Sequence, residues 1–296
     1  MWFGTDDGLV RYDGVRFTPF NRQHGLSNSD NKVTQIYNDI DNNLWVTFES
    51  SVHILLANEH QFSYLFSFDN RVNISPSTSF IAQISPDIVA LSSGKGLYLA
   101  NPKNRALTPR YIDTPESITG FVELQNRRLF VGTTQLYTLS PNQQSLNALS
   151  LPGLPNGVNI TSSYIYNEKL VVGTYKHGIF TYDKYLNYID NTLLDISSAT
   201  QPNITAINSD TRDRLWLSTA NEGVFIFDSD KIRQRLRFDP TDPHSISTNS
   251  IRTLFLARNG DMWIGTQRGG VNHFRKSSEQ LYHLKHSILQ DSPLSG

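Results

Sequence analysis

The residues best suited to chemistry stand in twos and threes along the chain: Asp6 and Asp7, Glu49, Lys95, Tyr175-Lys176-His177, Asn221-Glu222 and Gln267-Arg268. A tyrosine ring, planar amides, a guanidinium and charges of both signs suit the recognition of a sugar or a carboxylate. Asp6 and Asp7 are sequence neighbours, and on a strand such side chains point apart, so they do not form the facing carboxylate pair of glycoside cleavage. The 8 histidines, among them His24, His53, His177, His244 and His283, contain no H-x-x-x-H or comparable pair, which argues against a metal site. With 0 cysteines, thiol catalysis, cysteine-based zinc sites and disulfides are excluded. The expectation is a chain with no catalytic residue, no metal and no cofactor.

Each of these groups follows a recurring phrase, and that phrase dictates the elements that must hold them. It reads Met1-Trp2-Phe3-Gly4-Thr5, Leu44-Trp45-Val46-Thr47, Leu215-Trp216-Leu217-Ser218-Thr219 and Met262-Trp263-Ile264-Gly265-Thr266. Leu129-Phe130-Val131-Gly132-Thr133 and Leu170-Val171-Val172-Gly173-Thr174 lose the tryptophan, and Val89-Ala90-Leu91-Ser92-Ser93 keeps only the shape. The tryptophan slot thus falls near residues 2, 45, 90, 130, 171, 216 and 263, a spacing of roughly 40 to 47 residues that matches a four-stranded propeller blade.

Three further runs complete each unit. An apolar-alternating run follows the phrase, as in Gly178 to Asp183 and Gly223 to Asp228; another precedes it, as in Val33 to Tyr37 and Ile251 to Leu256; a more polar one closes it, as in Leu281 to Leu284. The tryptophan strand is apolar on both pleat faces, which requires neighbours packed on both sides. Asn42-Asn43 and Asn259-Gly260 suit two-residue hairpins between first and second strands. The predicted fold is all-β, a seven-bladed β-propeller of four-stranded antiparallel blades over residues 1–296 as a single domain, the first blade lacking its own inner strand.

In that topology the loops joining second to third strands share a face with the loops joining blades. The chemistry-bearing residues named above all lie in the first set, and His24 to Ser29 and Asp239 to Ser245 are the longer additions from the second. Constant blades with unlike loops are what a rigid frame for an asymmetric ligand needs, so binding is expected at that mouth.

Charge excludes one class of partner. Lys and Arg number 26 against 27 Asp and Glu, a formal charge of -1, so nothing draws the chain globally to nucleic acid. The one basic cluster, Lys231 to Arg237, alternates with Ile232 and Leu236, reads as a protected outer strand, and lacks the interleaved aromatics of a nucleic-acid platform. The sequons at Asn73, Asn159 and Asn203 are no more than this much asparagine supplies by chance.

The repeats resemble the two-component regulator propeller repeat, D-x-x-G-x-[LM]-W-[IV]-G-T-x-x-G-[LV]-x-x-[YF]-[DN]. Asn259 to Val271 is the best copy and Met1 to Asp13 nearly equals it, while the third and fourth copies lack Trp and the fourth lacks the loop glycine at Gln135-Leu136. The resemblance implies the periplasmic sensing region of a membrane-spanning hybrid histidine kinase or diguanylate cyclase, attached to the membrane only through the parent protein. It also implies a small-molecule ligand such as an oligosaccharide, adjacent propeller or signalling modules in the same chain, and a homodimer as an open alternative. Met1 fills the slot that Met262 fills inside a full repeat, and Lys285 to Gly296 looks like the loop before another first strand, so a piece cut from a longer sensor is expected. Two other readings compete: a protein-interaction or dimerisation platform, and a carbohydrate-active enzyme. The last lacks any S-x-D-x-G-x-x-W box of the sialidase type.

Overall fold

The computed structural model describes residues 1–26, 32–68, 80–94, 96–105, 107–142, 144–190, 201–228 and 231–284. Along these, apolar alternation and turn residues produce seven antiparallel sheets, each a meander whose strands pair in chain order. Six sheets have four strands; the first, Trp2–Thr5, Gly8–Tyr12 and Phe17–Phe20, has three. The protein is an all-β, seven-bladed propeller, and the inner slot of blade 1 is unfilled among the described residues, as the repeat predicts. The tail from 285 to 296, Asn73 and residues 27–29 of the His24 to Ser29 loop lie outside the described residues. Arg22–His24 forms a single 3-10 turn, and among the described residues no helix is long and apolar enough to cross a membrane.

The chain divides into two compact units, Met1–Phe121 with Arg128–Leu149, and Val122–Arg127 with Ser150–Gly296. Within each, the core lies between successive blades. In the first unit Leu9, Leu44, Val46 and Phe48 join blades 1 and 2. Trp45, Ile54, Val89 and Leu91 join blades 2 and 3. Leu97, Ile112, Ile118 and Phe130 join blades 3 and 4. In the second unit Val171, Ile179, Ile204 and Phe225 join blades 5 and 6, and Trp216, Ile226, Leu254 and Phe274 join blades 6 and 7. Every residue of the second strands Leu44–Phe48 and Leu215–Thr219 is buried, so both pleat faces are covered there. Trp2–Thr5 is only half covered, Trp2 and Phe3 being partly buried and Gly4 and Thr5 exposed.

Blade spacing is tight enough to demand glycine. A Cβ on Gly173 would stand 2.3 Å from Ser162 Oγ and 2.6 Å from Ile204 Cγ2, the latter on the next blade.

The turns between first and second strands differ from the two-residue hairpins expected at Asn42-Asn43 and Asn259-Gly260. In blade 2 Asn42 N donates to Asp39 O (3.0 Å) and Asp39 N to Asn43 O (3.0 Å), and only Asn42 is left-handed, at φ 62°. In blade 7 Gly260 N donates to Ala257 O (2.9 Å) and Ala257 N to Asp261 O (2.9 Å), with Gly260 at φ 86°. Each is therefore a three-residue loop built on a type I turn. Two-residue turns with both φ positive occur instead at Gln125-Asn126 (50°, 62°) and Asn167-Glu168 (48°, 60°).

In blades 2 and 6 a buried aspartate holds the three-residue form. Asp39 accepts from Asp41 N, Asn43 N, Asn43 Nδ2 and, at 2.9 Å, Trp45 Nε1. Asp210 repeats this in blade 6, accepting from Arg212 N, Arg214 N, Arg214 Nε and, at 2.9 Å, Trp216 Nε1. One carboxylate thus closes the turn and satisfies the only polar atom of the core indole. In blade 7 the turn opens on Ala257, and Asp261 contacts His273 Nε2 at 2.8 Å while that imidazole stacks on Trp263 at 4.1 Å.

The basic run forms the outer strand of blade 6, Lys231–Leu236, but a register shift at Arg233 breaks its simple alternation. Ile232 is consequently 46% exposed while Leu236 is buried.

Candidate functional site

At the end of the blades opposite those aspartates, the chain joins second to third strands through a repeated frame. In blades 5, 6 and 7 the sequence is Thr-x-x-x-Gly, and the threonine hydroxyl donates across the loop: Thr174 Oγ1 to Gly178 O (2.7 Å), Thr219 Oγ1 to Gly223 O (2.9 Å), Thr266 Oγ1 to Gly270 O (2.8 Å). The next backbone N–H anchors the loop to the residue before or near the inner strand: Tyr175 N to Asn159 O (2.8 Å), Ala220 N to Asn203 O (3.0 Å), Gln267 N to Ser250 O (2.9 Å). The closing glycines are left-handed; at Gly223 (φ 80°) a Cβ would also fall 2.1 Å from Leu236 O. The loops are thus fixed by their ends, and the intervening residues differ from blade to blade.

In the second unit these frames bring the expected residues to one end of their blades. Tyr175 is 43% exposed, with Lys176 Nζ 4.8 Å from its ring centre, and His177 Nδ1 meets Tyr175 O at 2.9 Å. Asn221, Gln267 and Arg268 are exposed, and Gln267 Oε1 accepts from Ser250 Oγ at 3.1 Å. Glu222 differs: its carboxylate is held by Arg235, whose Nε also donates to Glu222 O at 3.2 Å, with Arg237 3.8 Å away. Its charge is neutralised from the outer strand and is not offered at the tip. The insertion Asp239 to Ser245 is tied to the outer strand of blade 7, where His244 Nδ1 meets Leu281 O at 3.3 Å and His283 meets Ser245 O.

In the first unit, Asp6 and Asp7 sit in the turn after Thr5 and not on a strand, so the argument from strand pleating does not apply to them. Asp7 N donates to Thr5 Oγ1 (3.1 Å), whose hydroxyl reaches Gly8 O (2.9 Å), and both carboxylates are exposed. Glu49 pairs with Lys32 at 3.1 Å. Lys95 lies outside the described residues.

One cluster escaped the sequence reading. Glu116, ahead of the inner strand Ile118–Leu124, accepts from Thr133 Oγ1 (2.5 Å), Thr134 Oγ1 (2.8 Å) and Tyr137 Oη (2.9 Å), and Gln135 Nε2 donates to Tyr137 Oη (2.9 Å). Burial, above all, raises the Tyr137 pKa, and the bond to Glu116 adds to it while Gln135 opposes it. Blade 4 lacks the loop glycine; its shorter loop closes through Gly132 N to Gln135 O (2.8 Å), and the Glu116 carboxylate ties its Thr133 and Thr134 hydroxyls to Tyr137. The missing glycine at Gln135-Leu136, set beside a Thr-Thr-Gln run, was the available signal.

No group of three or more His, Asp and Glu that could hold a metal occurs among the described residues. The family model for the two component regulator propeller matches residues 245–268. Among solved structures, the extracellular domain described as that of the hybrid two component system BT3049 from B. thetaiotaomicron aligns at TM-score 0.71 and 17% identity, over 92% of this chain and 38% of that one. The extracellular domain of the one component system BT4673 from the same organism aligns at TM-score 0.69 and 18% identity, over 96% of this chain and 36% of that one. The chain therefore spans little more than a third of the length of those domains. Virginiamycin B lyase from Staphylococcus aureus aligns at TM-score 0.64 and 10% identity, over 86% of this chain and 84% of that one, so the fold alone serves both sensors and enzymes. No curated protein matches the sequence.

Proposed function

We propose that this chain, which carries the two-component regulator propeller repeat, is a non-catalytic ligand-sensing propeller from the periplasmic part of a bacterial signalling receptor, a hybrid histidine kinase or a diguanylate cyclase. The observation that carries the reading is the pairing of constant Thr-x-x-x-Gly frames in blades 5 to 7 with unlike tip residues, in a chain that matches the two component regulator propeller model over residues 245–268 and aligns in fold with the extracellular domains of two bacterial signalling systems. The ligand is a small molecule such as a glycan fragment, taken at the loop-bearing end by residues including Tyr175, Lys176, His177, Asn221, Gln267 and Arg268, with Asp6, Asp7, Glu49 and Lys95 as the corresponding residues of the first unit. Binding shifts the propeller relative to neighbouring modules of the same chain, and that shift crosses the membrane through the parent protein.

A ligand binding only the folded state adds about 2.7 kcal/mol at a concentration one hundred times its Kd. A glycan panel in a thermal-shift assay is expected to yield at least one compound that raises Tm. No shift across a broad panel, combined with self-association or capture of a partner domain, would favour the interaction-platform reading instead.

A further inference from the structure

Three cations at the loop end of the second unit have no salt-bridge partner among the described residues. Lys176, Arg252 and Arg268 are exposed, and no acidic side chain among the described residues lies within salt-bridge distance of any of them. Glu222, the one acid on the loops joining second to third strands there, is already held by Arg235, and Asp239 and Asp242 of the inter-blade loop accept from Thr241 N and Oγ1 and from His244 N.

Two of these cations belong to blade 7, at the same end of its first two strands. The inner strand Ile251–Leu256 pairs Ile251 with Thr266 and Thr253 with Gly265, so Arg252 is the extra residue of a bulge, level with the start of the loop that carries Gln267 and Arg268. The corresponding bulges of blades 2, 5 and 6 hold Thr34, Thr161 and Thr205, whose hydroxyls bond to Thr47 O (3.1 Å) on the same blade, Ile204 O (2.5 Å) on the next blade and Ser218 Oγ (2.9 Å) on the same blade. Arginine cannot reproduce that short bond, and at this position it stands exposed. Arg268 is also left-handed, at φ 63°, as is Lys176 at the same loop position of blade 5, again at 63°. Glycine or asparagine takes that conformation more readily, so two loops hold a cation where the backbone disfavours a long side chain.

We propose that the ligand taken at this end carries an oxyanion, a carboxylate or sulfate on a saccharide, gripped by the guanidinium groups of Arg252 and Arg268. Planar guanidinium donors match such groups in bidentate fashion. Gln267 and Ser250 supply neighbouring polar contacts, Tyr175 supplies a sugar-stacking face, and Lys176 adds positive charge from blade 5. This rests on the ligand-sensing reading above and narrows its ligand class.

Isothermal titration calorimetry on the whole chain tests it, with a galacturonate trimer, a neutral galactose trimer, a sulfated disaccharide and inorganic sulfate alone as probes. One of the two acidic saccharides should bind at least about tenfold tighter than the neutral trimer, and weaken as salt rises. Whether it is the uronate or the sulfate ester identifies the oxyanion. Arg252→Ala and Arg268→Gly should each weaken binding about tenfold or more, whereas Arg233→Ala on the outer strand should leave it unchanged. Arg268→Gly relieves the left-handed residue, so its Tm should stay level or rise, which separates lost recognition from lost folding. Equal affinity for the neutral trimer with no effect of the arginine variants overturns the oxyanion assignment and leaves ligand sensing standing. Inorganic sulfate binding as tightly as the sugars overturns the saccharide part. Failure of every saccharide, charged or neutral, to bind sinks the sensing reading together with this one.

Discussion

Asp210 collects two backbone N–H donors, the Arg214 guanidinium and the Trp216 indole on a single buried carboxylate. Burial pushes its pKa up, but the hydrogen bonds from Trp216, Arg212 and Arg214 outweigh that and hold it below the ordinary value. A depressed folded pKa means stability that is present above the unfolded value, about 3.9, and lost as pH falls through the folded one. Asp210→Asn should therefore cost about 1 to 3 kcal/mol at neutral pH, because the buried Arg214 keeps its pair with Glu279 at 2.9 Å but loses the charged acceptor at its Nε. Urea unfolding of the two proteins should show this difference narrowing below about pH 4; a difference constant with pH would rule out the ionic account. Trp216→Ala, at 0% exposure, should cost about 3 to 5 kcal/mol. Arg268→Ala, exposed at a tip, should leave stability within about 0.5 kcal/mol.

Strands and turns carry the next level. Gly173 has no room for a methyl group between Ser162 and Ile204, so Gly173→Ala should destabilise by about 1 to 3 kcal/mol through overpacking, read as a lower urea midpoint at unchanged m. The reverse is expected at Glu168, the second left-handed residue of a two-residue turn, where Glu168→Gly should stabilise by about 0.5 kcal/mol. Strand positions were readable because each repeat carries its own apolar alternation, and Ile118–Leu124 and Ile251–Leu256 fall where that pattern puts them. Turn type was not, since it depends on which residue turns left-handed. That choice is made at Asn42 by the side chain of Asp39, several positions from the Asn-Asn pair that drew notice.

For the molecule as a whole, a formal charge of -1 predicts no salt-sensitive retention on duplex DNA, and a low-salt shift assay that found it would contradict the distribution of charge described here. The candidate residues were legible as loops because the Thr and Gly bracketing them recur in register. Their pairing state was not: nothing in the sequence near Glu222 shows that Arg235, on the outer strand, neutralises it, and Glu116 acts on Thr133 from a different loop. The hairpin frames have an evolutionary corollary. In each loop a threonine hydroxyl and two main-chain bonds set the path, whereas Lys176 and Arg268 are left-handed, Glu222 is paired with Arg235 and a Cβ at Gly269 would fall 2.7 Å from Thr248 Cγ2, so the side chains least coupled to folding are those at 175, 177, 220, 221 and 267. Drift through those positions alone would change what the loop end presents, and a combinatorial library confined to those five codons should yield mostly soluble, cooperatively melting proteins.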